Sequence, residues 1–161
     1  MRIAVLNGPN LNLLGTREPA LYGTTDLAEI EAGLRRIATE LDVSLEFAQE
    51  NGEGALIDRV QALRGRAEGA LINAGAYTHT SLALRDTFLA VGIPFVEVHL
   101  TNIYAREPER RQSMLAPAAL GVVCGFGAGS YEVALRGLVT ALRGRAPAAT
   151  GSAAAASGRA R

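Results

Sequence analysis

The side chains of this 161-residue chain best suited to moving a proton are Glu97 and His99. They stand two apart at the end of an apolar run. In an extended strand that spacing puts both on one face, where the carboxylate can orient the imidazole. The second histidine, His79, lies in Asn73-Ala74-Gly75-Ala76-Tyr77-Thr78-His79-Thr80-Ser81 near a helix start, where it either meets a ligand or serves as a cap or a satisfied core side chain. Arg106, Arg110 and Arg111 follow His99 and form either a solvated loop face or an anion site. Asn7-Gly8-Pro9-Asn10 ends the first apolar run as a plain turn or as part of a site, and Tyr22, in a loop flanked by Gly and Pro, is on its own account a packing residue with a wet hydroxyl.

The rest of the composition removes chemistry. All sixteen basic residues are Arg; the chain has no Lys. A Schiff-base lysine, a phosphate-loop lysine and a receiver-domain lysine are therefore excluded. One Cys (Cys124) and two His cannot build a closed Cys/His zinc site without carboxylates, so no metal is expected. The lone Cys precludes an internal disulfide and suits a reducing cytoplasm. Sixteen acids balance the Arg, and three of the Arg (Arg145, Arg159, Arg161) follow Gly144, where there is no acid. The body is mildly acidic, which disfavours nucleic acid as a partner. No apolar run approaches membrane-spanning length, and the N-terminal one is too short for a signal peptide.

The elements that must position these side chains alternate. Ile3 to Leu6, Val43 to Ala48, Ala70 to Ile72, Pro94 to Val98 and Leu120 to Cys124 read as strands. Between them lie helical patterns: one after the capping-box spacing Asp26-Leu27-Ala28-Glu29, one over Glu53 to Arg66, one over Ser81 to Val91. A last helix is expected to be capped by Ser130, and a long polar loop spans about His99 to Pro117. Gly125, Gly127 and Gly129 lack dinucleotide-fingerprint spacing and read as turn chemistry.

Such alternation calls for a parallel sheet with crossover helices: an α/β, flavodoxin-like three-layer αβα sandwich on five parallel strands, with its site beyond their carboxyl ends. Residues 1–144 form one domain. The Ala/Gly/Arg tail, 145–161, has no large apolar residue and is expected to be disordered. Asn7 and Asn73 stand where a receiver domain needs Asp, and the Asn/Leu-rich first loop is not a flavin phosphate loop.

Asn7-Gly8-Pro9-Asn10-Leu11, Leu14-Gly15-x-Arg17-Glu18-Pro19-x-x-Tyr22-Gly23, the Asn73 to Ser81 run, Ala83-Leu84-Arg85-Asp86, Glu97-Val98-His99, Asn102 and Ala105-Arg106-Glu107 together resemble the type II 3-dehydroquinate dehydratases. The likeness spans about residues 3–143. It departs from the family's usual pattern at Glu50-Asn51-Gly52-Glu53, Glu109 and Gln112.

The resemblance implies anti elimination of water from 3-dehydroquinate through an enolate, without metal or cofactor, in aromatic biosynthesis or quinate breakdown. It assigns Tyr22 as base, Arg17 as the essential cation with Arg106 in support, Asn10 as holder of a water on the enolate oxygen, and His99, oriented by Glu97, as the acid. A phenol of pKa about 10 needs roughly 3–4 kcal/mol of preferential phenolate stabilisation to ionise near neutrality, and guanidinium groups are suited to provide it. Substrate binding falls to Asn73, His79, Arg110 and the amides of Leu100 and Thr101. Asp86 is expected to reach an adjacent subunit's site within a homododecamer built from trimers. The loop between Gly15 and Gly23 reads as a lid. Two other readings stand beside this one: a catalytically silent flavodoxin-like module that binds small carboxylates, and a related lyase acting on another hydroxy-ketone acid.

Overall fold

A computed structural model describes residues 1–16 and 25–145. Arg17, Tyr22 and residues 146–161 lie outside the described residues, and so do all of the expected lid but Thr16 and all but the first residue of the expected tail. Five strands form one sheet: β1 (Arg2–Asn7), β2 (Ser44–Gln49), β3 (Gly69–Asn73), β4 (Phe95–His99) and β5 (Gly121–Cys124). All pairings are parallel, in the order β2-β1-β3-β4-β5. This is the expected α/β architecture.

The helices are α1 (Leu27–Glu40), α2 (Glu53–Gln61), the single turn α3 (Tyr77–Thr80), α4 (Leu82–Val91) and α5 (Gly129–Gly144). The Asp26–Glu29 capping box forms at the start of α1: Glu29 N–H donates to Asp26 Oδ1 at 2.8 Å, and Asp26 N–H donates to Glu29 Oε2 at 3.1 Å. Ser81 Oγ caps α4 by accepting from Leu84 N–H at 2.9 Å. Among the described residues no helix is long and apolar enough to cross a membrane.

The period-two alternation of the strands divides the core into two layers. Ile3, Val5, Leu71, Val96 and Val98 face α1 and α5, against Leu34, Leu135 and Leu138. Ala4, Leu6, Ala70, Ile72 and Phe95 face α2 and α4, against Leu56, Val60, Leu84 and Phe88. Phe88 stacks on Phe95 with ring centroids 4.0 Å apart. Each large apolar side chain taken fully out of water contributes about 1.5–3 kcal/mol. The strand residues beyond these layers inherit their facing: Glu97 and His99 continue the Phe95 side, and Asn7 and Asn73 continue the Val5 and Leu71 side.

Two local expectations need correction. The second helix ends at Gln61, not Arg66: Leu63 still enters the core, but the chain tightens into turns and Gly65 takes φ 69°. Ser130 lies inside α5 and does not cap it. Its Oγ accepts from Phe126 N–H at 3.1 Å, and the cap position belongs to Ala128. The polar stretch after β4 also carries more order than a plain loop, with short 3-10 turns at Ile103–Ala105, Pro108–Arg110 and Ala116–Ala118.

Candidate active site

The strand order reverses between β1 and β3, because β1 leads to β2 on one side and the chain then returns to β3 on the other. The crevice beyond the carboxyl ends of such strands is where open α/β sheets bind ligands. A cavity of about 120 Å³ lies there. The register aligns its rim: Asn7 stands opposite Asn73, and Ile72 opposite Glu97.

Three segments line the cavity. Asn10, Leu11 and Leu14 come from the loop after β1; Asn73, Gly75 and His79 come from the end of β3 and the turn after it; His99, Leu100, Thr101, Ile103, Arg106 and Arg110 come from the end of β4 and its loop. Eight of the expected site residues thus meet at one place: Asn10, Asn73, His79, His99, Leu100, Thr101, Arg106 and Arg110. Asp86 does not line this cavity; it sits on α4 with an exposed carboxylate 3.6 Å from Arg85 Nε.

The loops after β1 and β3 are held close by backbone. Gly8 N–H donates to Asn73 O at 2.7 Å, and a Cβ on Gly8 would fall 2.4 Å from the carbonyl oxygen of Ala74. Only glycine allows this approach. Asn10 then adopts a left-handed conformation with φ 66°. Asn51 braces it: its Oδ1 accepts from Asn10 N–H at 3.0 Å and from Gln49 Nε2 at 3.0 Å. The departure Glu50 has a structural use of its own, an ion pair with Arg59 at 2.8 Å.

Behind the rim, the buried Tyr131 hydroxyl donates to Asn7 Oδ1 at 2.6 Å and accepts from Asn73 Nδ2 at 3.1 Å. Burial pushes this phenol far above its ordinary range, so it stays neutral and joins the two strand ends as a dipole. Asn73 Oδ1 accepts from Gly75 N–H at 3.2 Å, which orients its amide.

Glu97 is wholly buried and His99 nearly so. His99 Nε2 lies 2.8 Å from Glu97 Oε1, the contact expected from their spacing. Ser113 Oγ lies 2.8 Å from each carboxylate oxygen of Glu97. His79 Nδ1 lies 2.7 Å from the carbonyl oxygen of Gln112, so with the proton on Nδ1 its Nε2 is left for the cavity side. At the mouth, Glu107 bridges two cations: Arg106 Nε donates to it at 3.1 Å and Arg110 Nε at 2.6 Å. A backbone hydrogen bond first, then these two guanidinium groups, lower the Glu107 carboxyl to about 2. Arg111 is turned away, donating to the carbonyl of Arg106 at 2.6 Å.

The glycine-rich segment before α5 is a turn, as expected. Gly125 N–H donates to His99 O at 3.3 Å and Gly127 N–H to Leu100 O at 2.9 Å, so these donors are spent on the chain itself. Sequence assigns no site role to three contributors: Ser113, Tyr131 and Asn51, the last named only within a departure from the family pattern. Each acts across a distance in sequence that no local periodicity records. Among the described residues no three His, Cys, Asp or Glu side chains gather as a metal site would require.

This arrangement can bind a small anionic, hydroxylated molecule and give it a proton from a buried, carboxylate-braced imidazole. A family model described as Dehydroquinase class II matches residues 1–139. The chain belongs to this family. It is 65% identical over 141 residues to the 3-dehydroquinate dehydratase of Gemmatimonas aurantiaca, covering 88% of this chain and 93% of that one. It is 54% identical to Catabolic 3-dehydroquinase 1 of Aspergillus terreus, covering 83% and 88% respectively. The crystal structure of type II dehydroquinase from Butyrivibrio crossotus superposes with a TM-score of 0.84 at 37% identity, over 87% of this chain and 97% of that one.

Proposed function

We propose that this chain is a 3-dehydroquinate dehydratase, a hydro-lyase of the shikimate pathway. It removes water from 3-dehydroquinate in the anti sense to give 3-dehydroshikimate. The observation that carries the reading is the buried Glu97–His99 pair, whose His99 lines the cavity that also gathers Asn10, Asn73, His79, Arg106 and Arg110.

Tyr22, as phenolate, takes the proton next to the ketone, and the electron pair moves to the carbonyl oxygen. Arg17 and Arg106 hold the phenolate in its charged form, a task suited to a cation that does not compete for the proton. A water on Asn10 donates to the enolate oxygen. The enolate then collapses, the C–O bond breaks, and His99 gives its proton to the leaving hydroxyl. The products are the enone and one water; Tyr22 loses and His99 regains a proton before the next turnover. Asn73, His79, Arg110 and the amides of Leu100 and Thr101 bind the hydroxyls and carboxylate. No cofactor enters this scheme.

Residues 1–144 are the catalytic unit. Asp86, exposed on α4, serves the site of an adjacent subunit in a homododecamer built from trimers. The enzyme works in the cytoplasm, which suits a chain with a single Cys. The reading as a silent carboxylate-binding module is not favoured, because it leaves the buried Glu97–His99 pair without a use.

The test is ultraviolet absorbance of the enone on mixing purified protein with 3-dehydroquinate. Absorbance is expected to rise, with no sensitivity to chelators or borohydride. A flat trace with 3-dehydroquinate would overturn the proposal, and a rise with another hydroxy-ketone acid alone would move the chain to a related lyase.

A further inference from the structure

The hydroxyl of Ser113 occupies an unusual position in the hydrogen-bond order of this site. Its Oγ accepts from two backbone amides, Leu115 N–H at 3.0 Å and Ala116 N–H at 2.9 Å. A hydroxyl has two acceptor lone pairs and one donor hydrogen. With both lone pairs engaged, Ser113 has only its hydrogen left to offer, and the partner it meets is Glu97, 2.8 Å from either oxygen. Glu97 must therefore accept. A carboxylate has only acceptor sites to offer, on Oε1 as on Oε2.

The same logic passes to the next bond. Glu97 Oε1 lies 2.8 Å from His99 Nε2, and an accepting oxygen there requires a proton on that nitrogen. The second ring nitrogen, Nδ1, is then the one left to serve a ligand. We propose that Ser113 is a positioning residue. Through Glu97, the two amides of the 113–116 turn fix the proton on Nε2 of His99 and leave Nδ1 to deliver protons to the cavity. This rests on the reading of His99 as the acid.

The neighbours of Ser113 give the segment a second grip. Gln112 O receives His79 Nδ1, and Met114 N–H donates to Thr78 O at 2.8 Å. Residues 112–114 thus hold Thr78 and His79 through backbone groups and reach His99 through the Ser113 hydroxyl and Glu97.

Because the chain has only two histidines, nitrogen-15 labelling of histidine yields two ring systems, and a His79→Asn variant assigns them. In the unmodified enzyme the neutral His99 ring is expected to carry its proton on Nε2. In Ser113→Ala the ring is expected to populate both tautomers, with kcat about tenfold lower and KM for 3-dehydroquinate within about twofold. Ser113→Thr, which keeps the hydroxyl, is expected to restore both readouts. A wild-type ring protonated on Nδ1 would overturn the proposal, whether or not the alanine variant folds. So would a folded Ser113→Ala enzyme with unchanged kcat and an unchanged Nε2 tautomer. Lack of dehydration by the wild-type protein would instead defeat the assigned reaction, and the tautomer measurement would still decide the role of Ser113.

Discussion

The Tyr131 hydroxyl donates to Asn7 Oδ1 at 2.6 Å across 124 residues of sequence, inside a core that excludes water from both groups. The same oxygen accepts from Asn73 at 3.1 Å, so one phenol sets the amides at the ends of β1 and β3. Removing a buried donor costs the desolvation of whatever it leaves unpaired. Tyr131→Phe keeps the ring and its packing. It is expected to lower unfolding stability by about 1–3 kcal/mol. Urea denaturation checks this, and an unchanged midpoint would mean that water replaces the hydroxyl.

Glu97→Gln keeps the shape of the buried pair and reverses its polarity. Ser113 must still donate, so the amide oxygen faces Ser113 and the amide N–H₂ faces His99. That forces His99 Nε2 to accept and moves the ring proton to Nδ1. The charged imidazolium loses its counter-ion at the same time. The turnover number is expected to fall about 10²–10⁴-fold with substrate affinity largely kept. Steady-state kinetics decides this, and a drop confined to KM would show that Glu97 serves binding and not proton delivery.

Tyr22→Phe removes the proposed base without removing the ring. Turnover is expected to fall by about 10²–10⁴-fold. Binding of 3-dehydroquinate, followed by calorimetry, is expected to persist. Retained turnover would withdraw the role given to Tyr22.

Gly8→Ala tests the closeness of the first two loops. The added Cβ would meet the Ala74 carbonyl at 2.4 Å, and the Gly8 N–H bond to Asn73 O would have to lengthen. Forcing an atom into backbone costs about 1–3 kcal/mol. Thermal unfolding should show the loss, and because Asn10 follows two residues later, kcat should fall as well. A variant with normal melting and normal turnover would show that the loops can part without consequence.

Glu107 predicts a pH-independent clamp. Its carboxyl is lowered to about 2, by a backbone hydrogen bond and then by Arg106 and Arg110. A group whose folded value is depressed contributes fully above its ordinary value, about 4.3, and loses that contribution as pH falls toward the folded one. From pH 5 upward Glu107 is therefore charged throughout and adds no inflection to KM. Its exposure keeps its worth small, so Glu107→Gln is expected to raise KM by about two- to fivefold. KM measured from pH 5 to 8 in both proteins checks this; an inflection near pH 5 that disappears in the variant would contradict it.

Much of the site was legible because its cues are local. The i, i+2 spacing of Glu97 and His99 needs only an extended backbone to become a contact, and the Asp26–Glu29 box needs only a helix start. Parallel strands bring their carboxyl ends to one rim whatever the crossovers contain, so the alternation of elements alone places Asn10, Asn73, His79 and His99 together. The errors arose where packing overrode a local pattern. The apolar steps of α2 continue to Leu63, but the chain leaves the helix at Gln61 and lets Leu63 reach the core from a turn. Ser130 has a cap's chemistry, yet α5 begins at Gly129, one residue before it.

Sequence by itself determined the strand and helix alternation, the absence of lysine chemistry, and which side chains gather at the sheet's edge, because these follow from backbone periodicity and residue type. Only the tertiary structure decided how those side chains are polarised. Ser113 reaches Glu97 from sixteen residues away, Tyr131 reaches Asn7 from 124 residues away, and Gln112 turns a carbonyl to His79. Hydrogen-bond direction depends on which donors and acceptors are already spent. That is a property of the folded network, which no spacing along the chain records.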